Sequence, residues 1–275
     1  MNLFVERYKE FLGKDFGDFE KYINFRPKQS IRVNTLKIDE KELVSRLRKK
    51  GVELEKIEWL DNGYAVNKAS FNLVSSPEYL QGYFFIQEQA SQLPVKLLSP
   101  ERGELVLDCC AAPGAKTTQI AQYMQNKGKV VALDMKKERL FALENNIERC
   151  GVKNALIYHH DARKTEELGM QFDKILVDAP CSGNFTQEKD WFKKRKIEDV
   201  MQNTKKQKSI LKSALNCLKP NGILVYSTCS LEPEEDEEMI GWIQDNFEVH
   251  IENQIKLWPH INKTQGFFAA KITKK

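Results

Sequence analysis

Two short apolar runs constrain the fold more than any other feature of this chain, because each ends directly in a turn that carries a cysteine. The first, Phe172 to Asp178, leads into Asp178-Ala-Pro-Cys181-Ser-Gly183. The second, Gly222 to Tyr226, leads into Ser227-Thr-Cys229-Ser230. Runs of this length, rich in Ile, Leu and Val, read as strands buried on both faces of a parallel sheet. In such sheets ligands and chemistry sit beyond the carboxyl ends of the strands. Cys181 and Cys229 are therefore expected on one rim, facing one pocket.

The rest of the chain reads as support for that rim. From Glu104 onward strands and helices alternate: strands at Glu104 to Asp108, Lys129 to Asp134, Ala155 to Tyr158, Phe172 to Asp178 and Gly222 to Ser227, with helical stretches between them. Phe247 to Ile255 and Phe267 to Ile272 read as a closing β pair. This alternation predicts an α/β domain with a doubly wound, mostly parallel sheet over residues 86–275. Residues 1–85 read as a small N-terminal α+β module and linker. In it, Asn2 to Leu12 is a helix, Ile31 to Leu36 a strand, and Asp39 caps a helix with Glu42 as capping-box partner and Leu43, Val44 and Leu47 as its buried stripe. Leu54 to Trp59 and Gly63 to Val66 are further strands, and a helix opens at Gln87 with Pro94 near its first turn.

Composition narrows the class. No apolar run reaches the roughly 18 residues that span a bilayer, and the charged start MNLFVERYKEF has no signal-peptide core. The expectation is a cytoplasmic protein without a membrane partner. Its six cysteines then point to burial or catalysis rather than disulfides. None has zinc-ligand spacing, so no metal site is expected. Cys150 and Cys217 read as packing residues. The net charge of +4 permits nucleic-acid binding without requiring it. Between Lys189 and Lys208 lie Lys193, Lys194, Arg195 and Lys196 with further lysines, either a solvated face or a surface for phosphates.

Three strand ends carry candidate ligand contacts. After the first strand of the alternation, Cys110, Ala111, Ala112, Pro113, Gly114, Ala115 and Lys116 form a small-residue turn opening a helix. Small residues let backbone approach a ligand, and a helix N-terminus offers free N–H groups to an anion. The turn is neither a dinucleotide fingerprint nor a phosphate loop, so it suits a carboxylate better than a pyrophosphate; tight packing alone is the competing reading. Asp134 ends the second strand, where an acid can take two ribose hydroxyls or simply cap the next helix. Asp161 ends the third, placed to accept from an adenine amino group. A nucleoside that also carries a carboxylate, such as S-adenosylmethionine, fits all three. Two cysteines at neighbouring strand ends, one beside Asp178, then suggest covalent catalysis.

The motifs CAAPGAKT, DAPCSG, YSTCSLEPEEDE and LWPH…GFFAAK, together with IRVNTLK and QEQAS, occur in order along nearly the whole chain. In these the sequence resembles the RNA cytosine-5 methyltransferases of the Nop/Sun/RsmB type. The resemblance implies a Rossmann-like domain that transfers a methyl group from S-adenosylmethionine to carbon 5 of cytosine in RNA. It implies that Cys110 to Lys116 hold the methionine end, Asp134 the ribose and Asp161 the adenine side, with Arg139 closing the cofactor site. Asp178 would face both cofactor and base. Cys229 matches the family's nucleophile and Cys181 its product-releasing cysteine. The compact chain is similar to short archaeal-type members, which favours tRNA over rRNA. Lys256 and Gln265 stand where the family often has Arg and Asp. A small-molecule methyltransferase and a non-catalytic RNA-binding module are the rival readings, and the cysteine pair argues against both.

Overall fold

The structure is a computed structural model that describes residues 3–275. It holds two sheets. The first is antiparallel, built from β1 (Ser30–Val33), β2 (Glu53–Lys56), β3 (Gly63–Lys68) and β4 (Phe84–Ile86) in the order β2-β3-β1-β4. The second has seven strands: β5 (Leu105–Asp108), β6 (Lys129–Asp134), β7 (Ala155–His159), β8 (Phe172–Asp178), β9 (Leu218–Thr228), β10 (Val249–Leu257) and β11 (Phe267–Lys274). Their order is β10-β11-β9-β8-β5-β6-β7. The five strands β5 to β9 are parallel, and β11 joins β9 antiparallel with β10 outside it. This is the doubly wound, mostly parallel architecture that the β/α alternation predicts.

The order fixes where a ligand can sit. From β5 the chain winds outward through β6 to β7, then returns to lay β8 on the other side of β5 and continues to β9. The crevice at that reversal, beyond the carboxyl ends of β5 and β8, is the switch point where open α/β sheets bind ligands. Helices cover both faces, among them α6 (Ala115–Tyr123), α7 (Lys137–Arg149), α9 (Ile197–Asn216) and α10 (Glu237–Asn246). The central strands are consequently buried on both sides, with Val106, Leu107, Val131, Ile175, Leu176, Leu224 and Val225 fully enclosed, which is why they read as continuous apolar runs.

The N-terminal sheet buries Ile31, Val33, Leu54 and Val66 against α3 (Glu40–Lys49), whose Leu43, Val44 and Leu47 form the expected stripe. Asp39 caps α3 by accepting from the Lys41 and Glu42 amides. Glu42 does not complete the capping box; its carboxylate pairs instead with Arg46 one turn on, an i,i+4 partner within easier reach. The strand expected over Leu54 to Trp59 stops at Lys56. The helix expected from Gln87 begins as a short 3₁₀ turn at Ala90 and becomes α5 (Leu93–Leu98) only at Leu93. Gln87 is still held to β1, its amide donating to the Ser30 carbonyl (3.1 Å) and its carbonyl accepting from Ser30 Oγ (2.9 Å), while Glu88 accepts from the Ala90 and Ser91 amides and so opens the turn.

Two contacts lock this sheet to the larger one. Arg32, fully buried on β1, donates to the Ala115 carbonyl (2.7 Å), Thr118 Oγ1 (2.8 Å) and Gln122 Oε1 (3.2 Å) of α6. Asn34 donates to the carbonyls of Gly82 and Cys150, each at 2.8 Å. The first helices, α1 (Leu3–Leu12) and α2 (Phe16–Glu20), go elsewhere. Their Phe4, Tyr8, Phe16 and Phe19 pack with Phe185, Trp191, Val200 and Leu231, and Tyr8 Oη donates to Glu232 Oε1 at 2.8 Å. The chain's beginning thus braces the loops that follow β8 and β9.

Candidate active site

Strand register brings the two cysteines together. Asp178 of β8 pairs with Ser227 of β9, so turns leaving these adjacent parallel strands must converge. Cys181 Sγ lies 3.1 Å from Cys229 Sγ, within hydrogen-bonding distance for sulfur. The pair is asymmetric. Hydrogen bonding from Cys181 holds the Cys229 thiol below its ordinary value, with Gln187 and Lys116 assisting against burial and Asp178. The same bond, with burial and the negative charges of Cys229 and Glu235, holds the Cys181 thiol well above its own. The asymmetry favours Cys229 as the member of the pair that ionises first, and so as the readier nucleophile.

Both turns are braced. Asn184 donates to the Cys229 carbonyl (2.7 Å) and to the Gly266 carbonyl (3.0 Å). Gln207 of α9 donates to the Pro180 carbonyl at 3.0 Å, and Trp191 Nε1 to the Ser182 carbonyl at 2.9 Å. Asp178 sits at the mouth of the crevice. Its Oδ1 accepts from Ser227 Oγ (2.8 Å) and its Oδ2 from Lys116 Nζ (2.7 Å). Lys116, expected at the methionine end of a cofactor, thus points its ammonium at the carboxylate beside the cysteines, lying over the Phe267 ring.

Several groups at this crevice stand out in the sequence only through the motif resemblance, which does not show what they touch. Glu88 accepts from the amides of Ala90 (2.6 Å) and Gln265 (3.1 Å), and burial pushes its carboxyl up to about 7. Gln265 accepts from Gln187 Nε2 (2.9 Å) and donates to Ser91 Oγ (2.6 Å). An amide fits this relay because it both accepts and donates. Lys256, the other departure, pairs with Asp236 and Glu237 at 3.1 and 2.9 Å, filling a bracing role rather than lining the crevice. These contacts join segments far apart in sequence, so no spacing rule announces them.

On the opposite side of the crevice the loop after β5 forms a cradle. Gly114 has φ +106°, and a Cβ there would meet Leu143 Cδ1 at 3.0 Å. Helix α6 starts without a side-chain cap, leaving first-turn N–H groups for an anion. Buried Asp134 ties the cradle together. It accepts from the amides of Ala112 (3.2 Å) and Lys136 (2.9 Å), and Arg139 pairs with it at 3.2 Å while also donating to the Ala112 carbonyl. Asp134 does not cap α7, whose N-cap is Lys136 with no side-chain cap; its bond to the Lys136 amide instead shapes the turn after β6, with the carboxylate at the strand end. Asp161 caps the 3₁₀ helix Ala162–Leu168, and Arg163 forks onto it at 2.6 to 3.0 Å. Cys110 is part of the cradle's wall, and burial pushes its thiol upward. Small residues, a free helix N-terminus and two strand-end acids suit a nucleoside bearing a carboxylate. Asp134→Ala should weaken S-adenosylmethionine binding by about 1.5–3 kcal/mol, the scale of hydrogen bonds to a charged group. Calorimetry on a variant with the parent's melting curve checks this, and unchanged affinity would remove Asp134 from the cofactor site.

The basic stretch is partly neutralised. Lys193 pairs with Asp190, and Lys194 and Arg195 both reach Glu188. Among the described residues no group of three or more His, Cys, Asp or Glu is placed to hold a metal ion, and no helix is long and apolar enough to cross a membrane.

A crevice of this kind, in a sheet of this order, belongs to the Rossmann-like methyltransferases. Comparison with known proteins makes the class specific. Residues 95–273 match the family model described as 16S rRNA methyltransferase RsmB/F, and residues 2–89 match the N-terminal domain of 16S rRNA methyltransferase RsmF. The chain belongs to the RsmB/F family. It is 37% identical over 272 residues to ribosomal RNA small subunit methyltransferase F of Vibrio atlanticus, covering 90% of this chain and 58% of the relative. It is 38% identical over 283 residues to the enzyme of that name from Shewanella piezotolerans, covering 94% and 60%. The chain thus spans somewhat over half the length of these relatives. Among solved structures, a methyltransferase homolog from Pyrococcus horikoshii superposes with a TM-score of 0.92 at 38% identity, covering 99% of this chain and 95% of that one. NSun6 from Pyrococcus horikoshii, solved with SFG, superposes with a TM-score of 0.91 at 26% identity, covering 98% and 97%.

Proposed function

We propose that this protein methylates carbon 5 of cytosine in RNA through a covalent cysteine–cytosine intermediate, with S-adenosylmethionine as methyl donor. The observation that carries the reading is the thiol pair at 3.1 Å beside Asp178 and Lys116 at the sheet's switch point. A small-molecule methyltransferase has no need of two thiols in contact.

Carbon 5 of cytosine is a weak nucleophile. Adding the Cys229 thiolate to carbon 6 breaks the ring's conjugation and makes carbon 5 enamine-like, which divides one hard step into easier ones. Nitrogen 3 takes up a proton from solvent as carbon 6 is attacked and returns it on elimination; the Asp178 carboxylate, hydrogen-bonded to Lys116, stabilises the protonated ring between the two steps. The cofactor, when bound, supplies an electrophilic methyl group to carbon 5. With Cys229 bound to carbon 6 and no longer a thiolate beside it, Cys181 releases its own proton to solvent and takes the carbon-5 proton, so that the C6–S bond breaks, the ring regains its conjugation and Cys229 leaves as a thiolate. Cys110, Ala111, Ala112, Pro113, Gly114 and Ala115 would hold the methionine end, with Lys116 at the reacting face. Asp134 with Arg139 holds the ribose, and Asp161 offers its remaining lone pairs to the adenine amino group.

The base must leave its stack to reach this crevice, so single-stranded or looped cytosines are the substrates. Residues 1–85 and the basic surface from Lys189 to Lys208 hold RNA phosphates, and residues 86–275 carry the chemistry, in the cytoplasm. The relatives' names favour small-subunit rRNA over tRNA. Incubation with methyl-labelled cofactor and each RNA, followed by digestion to nucleosides, tests the reading. Label in 5-methylcytosine from the rRNA is expected. Label only from tRNA corrects the substrate, and label in any other product overturns the reaction.

A further inference from the structure

We propose that Glu235 is a positioning residue that keeps the proton on Cys181 and so reserves Cys229 as the attacking thiolate. The roles of the two thiols rest on the function proposed above; the division of the proton rests on the geometry and electrostatics of the protein itself.

Glu235 is fully buried and lies behind the Cys181 turn. Its Oε1 accepts from the Ser182 amide (3.0 Å) and its Oε2 from Ser182 Oγ (2.6 Å), while Gln207 Nε2 reaches Oε1 at 3.3 Å. All of these are donors, and both carboxyl oxygens accept, the pattern that suits an ionised carboxylate; burial pushes the carboxyl up from its ordinary value, and these hydrogen bonds oppose that shift. Among the described residues no cation lies within ion-pair distance of it. A buried charge held only by neutral dipoles acts strongly on its neighbours. The thiol one residue before its donor Ser182 is Cys181, which feels that negative charge. The hold of Glu235 on the second turn is weaker: Ser230, one residue after Cys229, contributes a side chain only, 3.2 Å from Ser182 Oγ, whereas Ser182 gives both its amide and its hydroxyl.

The other charges around the pair act in the opposite sense or cancel. Asp178 opposes ionisation of Cys229, but Lys116 sits on Asp178 at 2.7 Å and favours the thiolate. Asp236 lies behind β9, bonded to Thr228 Oγ1 at 2.6 Å and paired with Lys256. Tyr226 spends its hydroxyl on the Glu235 carbonyl at 2.6 Å. Glu232 faces Arg7 and Tyr8. Glu235 is thus the uncompensated charge on the Cys181 side.

The test follows alkylation of each cysteine by iodoacetamide against pH, read by peptide mass spectrometry at low conversion so that neither modification alters the other. In the parent, Cys229 is expected to react at lower pH than Cys181. In E235Q the Cys181 profile should move down by about one pH unit, a roughly tenfold gain in rate on its rising limb, because the thiolate is the reacting form. The Cys229 profile should stay in place or move up, since it loses part of the hydrogen bond that holds it low, and should not move down with Cys181. E235D, which keeps the charge but withdraws it by one methylene, should move Cys181 in the same direction by less, and it decides alone if E235Q gives no cooperative melt. An unmoved Cys181 profile in a folded variant would make Glu235 a brace only and overturn the proposal. Equal movement of both thiols would overturn it too, since that marks general loosening. Neither RNA nor cofactor enters the assay, so failure of the methylation reading leaves this result separately readable.

Discussion

Cys181→Ala is expected to stop with RNA attached. The variant retains Cys229 at the end of β9 and Asp178 with Lys116, so attack on carbon 6 and methyl transfer proceed. It lacks the sulfur that sits 3.1 Å from Cys229 and assists loss of the carbon-5 proton, so the C6–S bond persists. A protein–RNA band should survive denaturing electrophoresis after incubation with RNA and cofactor. Cys229→Ala should give no such band and no methylated product, because the step that makes carbon 5 reactive is gone. A band with Cys229→Ala and none with Cys181→Ala would reverse the assignment. In both variants the cavity left is small, and stability losses of about 1 kcal/mol are readable by melting and separable from the catalytic effect.

Asp178→Asn is expected to lower the rate of methyl transfer by about 10²–10³-fold, the usual cost of removing a group that stabilises charge at the reacting centre. The Asn side chain fits the same space and can still meet Ser227 Oγ, which donates to Oδ1 at 2.8 Å. What it loses is the charge that seats Lys116 Nζ and stabilises the protonated ring. Single-turnover kinetics with saturating RNA and cofactor isolate this step. RNA affinity should change little, since phosphate contacts lie elsewhere. A single-turnover rate equal to the parent's would take Asp178 out of the chemistry.

Much of this arrangement is legible in the sequence because the parallel sheet writes itself plainly. Strands buried on both faces must be continuous apolar runs, and their carboxyl ends are then fixed in number and direction. From that alone Cys181 and Cys229 belong on one rim, and Asp134 and Asp161 at successive strand ends. The strand order, which places the crevice between β5 and β8, depends on pairing between segments 60 or more residues apart. No local pattern encodes it. Lys116 reads as part of a loop because its sequence position is in a loop. Its partner Asp178 is 62 positions away. Glu235, Gln207, Gln187 and Asn184 are invisible for the same reason: each is a polar residue whose meaning lies in a partner distant along the chain. The aromatic helices at the N-terminus read as part of the small module, yet they pack on Phe185 and Trp191, since a sheet of four short strands offers them less apolar surface than the loops after β8 and β9. The basic run from Lys189 shows the reverse error. Its charge looks free in the sequence, but Asp190 and Glu188 fold back onto Lys193, Lys194 and Arg195, so fewer cations face solvent than a count suggests.

The central claim is that Cys229 forms a covalent bond to carbon 6 of a cytosine in RNA. RNA carrying 5-fluorocytosine tests it directly, because a fluorine at carbon 5 cannot depart as a proton does and the adduct is trapped after methyl transfer. The parent protein, incubated with this RNA and S-adenosylmethionine, is digested and the cross-linked peptide sequenced by mass spectrometry. The account predicts a single adduct, on Cys229, that depends on the cofactor for its accumulation. An adduct on Cys181, or none from a protein that binds both RNA and cofactor, would contradict it.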